Sequence, residues 1–251
     1  MNNGTNMERA LKEVAQNTGK KSIFSIFASG KGSTIKTVFE HPIILPEDHT
    51  YSVALCALHT SYSWPNLDIH NNKFIYHDRT EWKTIRFPVG TYNLDNINSH
   101  LQEVLEEKDM IKIYGDGSTL KTVIEIEDGY QVKFPEIGGL GDLLGFEPRT
   151  FTSGKYQGDS IVEITAANSV LVQCDLINSS YIDGKKSNVI FTFNVIKQPG
   201  TRISISPKNL LYYPLAFNVI SSFTVRLCNQ KSELLNLRGE YLSVFFDIQQ
   251  A

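Results

Sequence analysis

The chain has 251 residues, of which 41% are hydrophobic and 20% charged, a composition that excludes a disordered tail, a collagen-like rod and a coiled coil. With 24 Lys and Arg against 27 Asp and Glu, the net charge is −3, unlike that of a protein whose main task is to bind a nucleic-acid backbone. The three cysteines are too few for a disulfide framework, and the polar first twenty residues do not resemble a secretory signal. No apolar run approaches the roughly 20 residues of a membrane span, so we expect a soluble, intracellular protein.

The N-terminal region is basic, whereas the rest of the chain is acidic. Residues 1–36 contain six Lys and Arg against two Asp and Glu. Residues 7–16 have the spacing of one short amphipathic helix. An apolar segment follows, and the candidate contact residues here are Lys20, Lys21, Ile23, Phe24, Ile26 and Phe27. We predict an N-terminal arm over residues 1–33 that folds back on its own chain or contacts another subunit; a solvated terminus is the alternative.

From Thr34 onward the hydrophobic period is two, which predicts strands. The expected strands of the first half are residues 35–45, 51–62, 73–76, 82–87, 110–114, 120–127 and 130–134. One helix interrupts them at about residues 93–105, where Ile97 and Leu101 belong to an apolar stripe, and a short helical turn follows at 142–146. The pattern predicts a compact α+β unit over residues 80–147.

The last third of the chain is predicted to be entirely β. The expected strands are residues 170–177, 188–196, 202–205, 222–228 and 241–248, and the segments between them contain turn residues such as Pro199-Gly200. Many short strands at this spacing are typical of a β-sandwich or barrel.

The sequence contains no strong catalytic or metal-binding motif. The candidate carboxylate pairs are Glu125 with Glu127 and Asp159 with Glu163, and both are typical of solvated strand or loop positions. The histidines and aspartates that could converge on a metal (His59, Asp68, His70, His77 and Asp78) lack a ligand spacing of known type. We predict no enzyme activity, no catalytic residue, no metal and no cofactor.

Several short motifs occur in an order that resembles one protein family. They are Tyr62-Ser63-Trp64-Pro65-Asn66 with Asn71-Asn72, Pro88-Val89-Gly90-Thr91-Tyr92, Leu143-Leu144-Gly145-Phe146, Tyr181-Ile182-Asp183-Gly184 and Tyr212-Tyr213-Pro214. In this order the chain, from about residue 34 to 248, is similar to the penton (minor capsid) proteins of polintons, adintoviruses, polinton-like viruses and virophages. The motif positions carried over are Tyr62, Trp64, Pro65, Asn66, Asn72, Gly145, Phe146, Tyr181, Gly184, Tyr213 and Pro214.

The resemblance implies a mainly β fold: a single jelly-roll β-sandwich over residues 34–77 and 155–251 with a small α+β insertion domain over residues 78–154, preceded by the N-terminal arm. It implies a structural protein of the virion, assembled inside the host cell and not secreted. Five copies would form each capsid vertex among copies of a double jelly-roll major capsid protein. The arm lies outside the resemblance, and its positive charge on an acidic chain leads us to predict contacts with neighbouring subunits or, weakly, with DNA.

Two other functions remain open at this point. The first is a receptor- or glycan-binding β-sandwich module of a viral spike, with Trp64 or Trp82 as the aromatic contact for a sugar. The second is a β-sandwich hydrolase that uses Glu125 or Glu163. Exposed aromatic residues with polar neighbours would favour the first, and a hydrolytic activity that is abolished by substitution of those carboxylates would favour the second.

Overall fold

The computed structural model describes residues 22–164, 167 and 169–250. The strands are β1 (Ser22–Lys31), β2 (Thr34–Ile44), β3 (Tyr51–Ser61), β4 (Lys73–Asp78), β5 (Trp82–Arg86), β6 (Ile111–Asp116), β7 (Lys121–Ile126), β8 (Tyr130–Phe134), β9 (Arg149–Phe151), β10 (Gly154–Gln157), β11 (Val170–Cys174), β12 (Ser180–Ile182), β13 (Lys185–Ser187), β14 (Val189–Phe193), β15 (Arg202–Ile205), β16 (Tyr213–Pro214), β17 (Val219–Cys228) and β18 (Tyr241–Gln250). The helices are α1 (Leu94–Val104) and α2 (Gly141–Leu144).

The chain divides into two compact units. The first unit contains the described residues up to Ser63 and from Ala167 onward, and the second is Trp64–Ala166. The boundaries predicted from the sequence lay at residues 78 and 154 instead. The difference arises because β4 pairs with β5 on one side and with β8 on the other, so its hydrogen bonds place it with the strands of the second unit.

Eight strands of the first unit form a jelly roll. One antiparallel sheet has the order β1-β18-β3-β15, with the short β16 also paired to β3, and the other has the order β14-β11-β17-β2. We number these eight strands 1 to 8 in chain order. The first sheet then has the order 1-8-3-6 and the second, taken from its β2 edge, has the order 2-7-4-5, which is the strand order of a jelly roll with two Greek keys. The predicted fold class, mainly β and jelly-roll, is confirmed.

The core of the jelly roll follows the alternation of side chains along its strands. In β18, Leu242, Val244 and Phe246 are fully buried, and the Phe246 ring lies 5.9 Å, edge to face, from that of Phe223 in the opposite sheet. Burying one such side chain contributes roughly 1.5–3 kcal/mol. The inward residues of the two sheets therefore hold the sandwich together, and the outward residues are left for other roles.

The second unit combines two small antiparallel sheets with the two helices. The sheets have the orders β5-β4-β8-β9 and β10-β7-β6. The Asn93 side chain caps α1 by accepting a hydrogen bond from the backbone N–H of Asn96, whose own side chain accepts one from the N–H of Asn93. Ile97 and Leu101 of α1 belong to an aromatic-rich core that is separate from the core of the jelly roll. The predicted helix and the three strands after it are confirmed here.

The segment predicted as a mobile arm includes an ordered edge strand. Residues 22–31 form β1, which pairs antiparallel with β18 so that Phe27 lies opposite Phe245. For residues 22–31 the structure agrees with the first of the two expected alternatives, an arm that folds back on its own chain, because the backbone groups of β1 are paired with β18. The helix predicted at residues 7–16 lies outside the described residues. None of the helices within the described ranges is long and apolar enough to cross a membrane.

Candidate subunit interface on the jelly roll

The outer face of the sheet β1-β18-β3-β15 carries exposed aromatic residues at the β1 edge. Outward positions alternate along β1, so that Ile23 is 47% exposed and Phe27 53% exposed. The Phe27 ring contacts the ring of its cross-strand partner Phe245 at 4.5 Å, and Tyr241, on the same face of β18, is also exposed. We call Ile23, Phe27, Tyr241 and Phe245 the aromatic patch. Exposed apolar residues on one face of a sheet can mark an interaction surface.

The six residues predicted as a contact arm do not form one surface. Lys20 and Lys21 lie outside the described residues. Ile26 is buried and Phe24 half-buried on the inner face of β1, whereas Ile23 and Phe27 point outward. Since successive side chains of a strand point to opposite faces, only the two outward residues can contact a partner.

A polar concavity of about 740 Å³ borders the aromatic patch. Its lining includes Phe245, the polar residues His59 and Ser204, and the charged residues Arg202 and Glu240. The Ser204 hydroxyl and His59 Nδ1 are hydrogen-bonded at 2.9 Å, and the Ser61 hydroxyl donates to Glu240 at 3.2 Å. An apolar strip beside a polar rim with both charge signs is the usual composition of a protein–protein contact.

The other half of this face is closed by the chain itself. Asp247 and Gln249 point outward from β18 but are only 2% and 3% exposed. The Tyr212 hydroxyl donates to Asp247 Oδ2 at 2.9 Å. Burial and the Asp247 carboxylate raise the pKa of Tyr212, and the same two causes raise the pKa of Cys56 to about 12. Both groups are therefore protonated at neutral pH, and the tyrosine acts as a donor to the carboxylate.

Removing the Tyr212 hydroxyl is expected to destabilise the jelly roll. In Tyr212→Phe the buried carboxylate of Asp247 loses a hydrogen bond, which costs roughly 1.5–3 kcal/mol for a charged acceptor. Urea unfolding followed by far-UV circular dichroism measures the loss. Tyr213→Phe is the matched control, because the Tyr213 hydroxyl has no hydrogen bond within the described residues. Equal losses in the two variants would contradict the prediction.

The motif positions of the sequence mostly stabilise the fold. The Asn66 amide donates to the carbonyl oxygens of Tyr92 and Ile164, both at 2.7 Å, and its oxygen accepts from the N–H of Tyr92 at 2.9 Å. Among the other positions, Tyr62, Asn72, Gly145 and Phe146 are buried, Pro65 and Tyr213 are half-buried, and Tyr181, Gly184 and Pro214 are exposed. These residues join segments within a unit and do not converge on one site.

Of the two tryptophans considered as sugar contacts, only one is accessible. Trp64 is 1% exposed, so the expectation that it contributes to a surface site is wrong. Its apolar ring is used for packing, as is usual for a large aromatic side chain. Trp82 is 47% exposed at the start of β5.

Two of the four candidate carboxylates, Glu125 and Asp159, are members of ion pairs. Glu125 accepts from the Tyr114 hydroxyl at 2.6 Å and from Lys155 at 3.0 Å, and these hydrogen bonds lower its pKa. Asp159 accepts from the backbone N–H of Glu147 and from Arg149, which lower its pKa. A general acid at neutral pH needs a raised pKa, so neither carboxylate has that property. Across residues 22–164, 167 and 169–250, no three His, Cys, Asp or Glu side chains converge as a metal site.

The contribution of β18 to the aromatic patch was not predicted from the sequence. A signal was present, because Phe245 lies between Val244 and Phe246 in a strand whose even positions form the core. Alternation alone would therefore have placed Phe245 on the outer face. Phe27 was predicted as a contact residue, but its contact with Phe245 was not, since the pairing joins strands near opposite ends of the sequence.

The topology defines the class of this protein: a mainly β, single jelly-roll chain with an α+β unit between the third and fourth jelly-roll strands. No protein-family model and no curated protein sequence matches it. Among solved structures it is similar to the selenomethionine-labelled mavirus penton protein, with a TM-score of 0.48 and 10% sequence identity, over 90% of this chain and 99% of the other. At this level of similarity the comparison transfers neither function nor partner.

Proposed function

We propose that this chain is a structural capsid protein without catalytic activity, and that five copies form the vertices of an icosahedral capsid. The observation that carries the proposal is a complete jelly roll whose edge strand β1 bears the exposed aromatic patch. A closed ring of five requires two different surfaces of each subunit to fit one another. The aromatic patch, with the polar concavity beside it, supplies one of them.

The order of the sequence motifs supports the same assignment, since it resembles that of penton proteins. On this proposal the further partner is a double jelly-roll major capsid protein that surrounds each vertex, and the protein resides in the virion after assembly inside the host cell. Lys20 and Lys21, with the other basic residues near the N-terminus, would contact neighbouring subunits or, weakly, DNA.

The mass of the purified chain in solution tests the proposal. We expect native mass spectrometry and mass photometry to detect a species of five chains. Phe27→Ser should shift this species towards monomer, because truncating a buried aromatic contact residue commonly costs 2 kcal/mol or more, on the order of thirtyfold in affinity. Far-UV circular dichroism checks that the variant is folded.

Tyr181→Ser is the matched control, because Tyr181 is 69% exposed in the same unit but lies on the β12–β13 hairpin. It should leave the pentamer unchanged. A chain that stays monomeric at high concentration, or that forms a trimer, would contradict the pentamer, and the trimer would favour a spike. If both variants dissociate the pentamer equally, the aromatic patch is not the specific contact.

A further inference from the structure

The sheet β5-β4-β8-β9 of the second unit has one buried and one open face. Phe74 and Tyr76 of β4 point into the core, as do the buried residues of β5 and β8. The alternate residues point outward. The outward residues include Lys73, Ile75 and His77 of β4, Trp82 and Arg86 of β5, and Lys133 of β8. We call this surface the cationic face.

Charge on this face is the opposite of that of the unit around it. Residues 64–166 contain ten Lys and Arg against seventeen Asp and Glu. On the outward positions of the four strands, by contrast, the charged residues within the described ranges are Lys73, Arg86 and Lys133, with no carboxylate among them. Such segregation within an acidic unit concentrates positive potential on one small surface.

The cations of this face have no counter-charge within the described residues. Lys73 lies directly opposite Arg86 in the β4–β5 ladder, and side chains in such positions have Cβ atoms about 4.5–5.5 Å apart. Like charges placed this way destabilise a sheet, and no ion pair with a described carboxylate relieves either one. Lys133 lies on the other side of β4, opposite Ile75. An anion bound at this face would remove the repulsion.

An aromatic ring lies on the same face as the cations, at the other end of β5. Trp82 lies opposite His77 in the same ladder, and its ring contacts the imidazole edge to face at 5.3 Å. Trp82 and Arg86 are four residue steps apart along the strand, or roughly 13 Å. Neutral Thr84 and Gln131 fill outward positions near them. One surface therefore offers three kinds of contact. The ring can pack on the apolar side of a sugar, the neutral groups can form hydrogen bonds, and the separate cations can bind anionic substituents.

We propose that the cationic face binds a short sulfated oligosaccharide. Several separate cations fit a ligand with several anionic groups, and the ring of Trp82 fits a sugar. A nucleic acid fits less well, because its binding surfaces offer several aromatic rings to successive bases and belong to basic domains. The acidic remainder of this unit would repel a long polyanion beyond the face. All residues concerned lie in the second unit, so the inference does not depend on the capsid proposal.

Binding of a heparin octasaccharide to the full chain tests the inference. Isothermal titration calorimetry at low ionic strength should detect binding that weakens steeply as salt rises towards about 0.15 M, since exposed charges are then screened. The desulfated octasaccharide should bind at least about tenfold more weakly. Arg86→Ala and Lys133→Ala should each weaken binding about three- to tenfold and reduce its dependence on salt. Trp82→Ala should weaken it about tenfold or more, and Trp82→Phe by less.

Lys112→Ala is the matched control, because Lys112 is a half-buried lysine of the same unit but belongs to the sheet β10-β7-β6. It should leave the affinity within about twofold. Absence of binding by the unmodified chain overturns the inference. So does binding that persists in Arg86→Ala and Lys133→Ala but disappears when residues 1–21 are removed. An oligodeoxythymidine of equal charge that binds as tightly would assign the face to nucleic acid instead.

Discussion

Replacing Gly145 by alanine is expected to destabilise the second unit by about 3 kcal/mol or more. Gly145 ends α2 with φ of +79°, in the left-handed region that other residues adopt only at a cost. A Cβ atom there would lie 2.5 Å from the carbonyl oxygen of Ser160 and 3.1 Å from that of Ile161. Backbone hydrogen bonds hold this contact, because the N–H of Ser160 donates to the Gly145 carbonyl at 3.0 Å.

Urea unfolding followed by tryptophan fluorescence measures this effect. Both tryptophans, Trp64 and Trp82, lie in the second unit and report on it. Gly184→Ala separates the two causes, because Gly184 has a similar φ of +76° but no atom within 4 Å of its added Cβ. Far-UV circular dichroism should show a loss of only about 1 kcal/mol for that variant. If Gly145→Ala costs no more than Gly184→Ala, the predicted clash with Ser160 is wrong.

The Phe134→Ala variant is expected to lose about 3–5 kcal/mol of stability, the range for a fully buried phenylalanine. The Phe134 ring is 1% exposed at the centre of an aromatic cluster. It stacks on Phe146 at 5.0 Å and meets Phe74 and Phe151 edge to face at 6.2 and 5.8 Å. Truncation therefore removes three ring contacts at once and leaves a cavity that rigid neighbouring strands cannot fill.

The same fluorescence-detected unfolding compares Phe134→Ala with Ile137→Ala. Ile137 is three residues away but 86% exposed, so its truncation should change the stability by less than about 0.5 kcal/mol. Phe134→Leu should fall between the two, since it keeps part of the buried volume. A loss under about 1 kcal/mol in Phe134→Ala would mean that the aromatic core of the second unit is not the source of its stability.

Local patterns in the sequence were sufficient for most individual elements. The predicted strands at residues 130–134 and 202–205 agree with β8 and β15, and the Asp128-Gly129 turn has its glycine at φ of +85°. Alternation of side chains and the backbone freedom of glycine are properties of a few neighbouring residues. For that reason they can be read without knowledge of the rest of the chain.

Strand pairing between distant segments could not be predicted in the same way. The sequence placed β4 in the wrong domain, because its own residues do not say that β5 and β8 are its partners. Nor did it show that residues 22–31 pair with the last strand, which turned an expected arm into the edge of a sheet. Such pairings are decided by which buried faces fit together over the whole fold.

The surfaces proposed for function show the same difference between local sequence patterns and pairing of distant segments. The sequence by itself determined the mainly β class, most of the strand and helix positions and the absence of a strong catalytic motif. Only the tertiary structure placed Phe27 beside Phe245 and Lys73 opposite Arg86. It also decided that Trp82 is exposed to solvent whereas Trp64 is buried. The physical reason is that secondary structure depends on contacts close in sequence, whereas a surface is assembled by strand register, which depends on packing between distant residues.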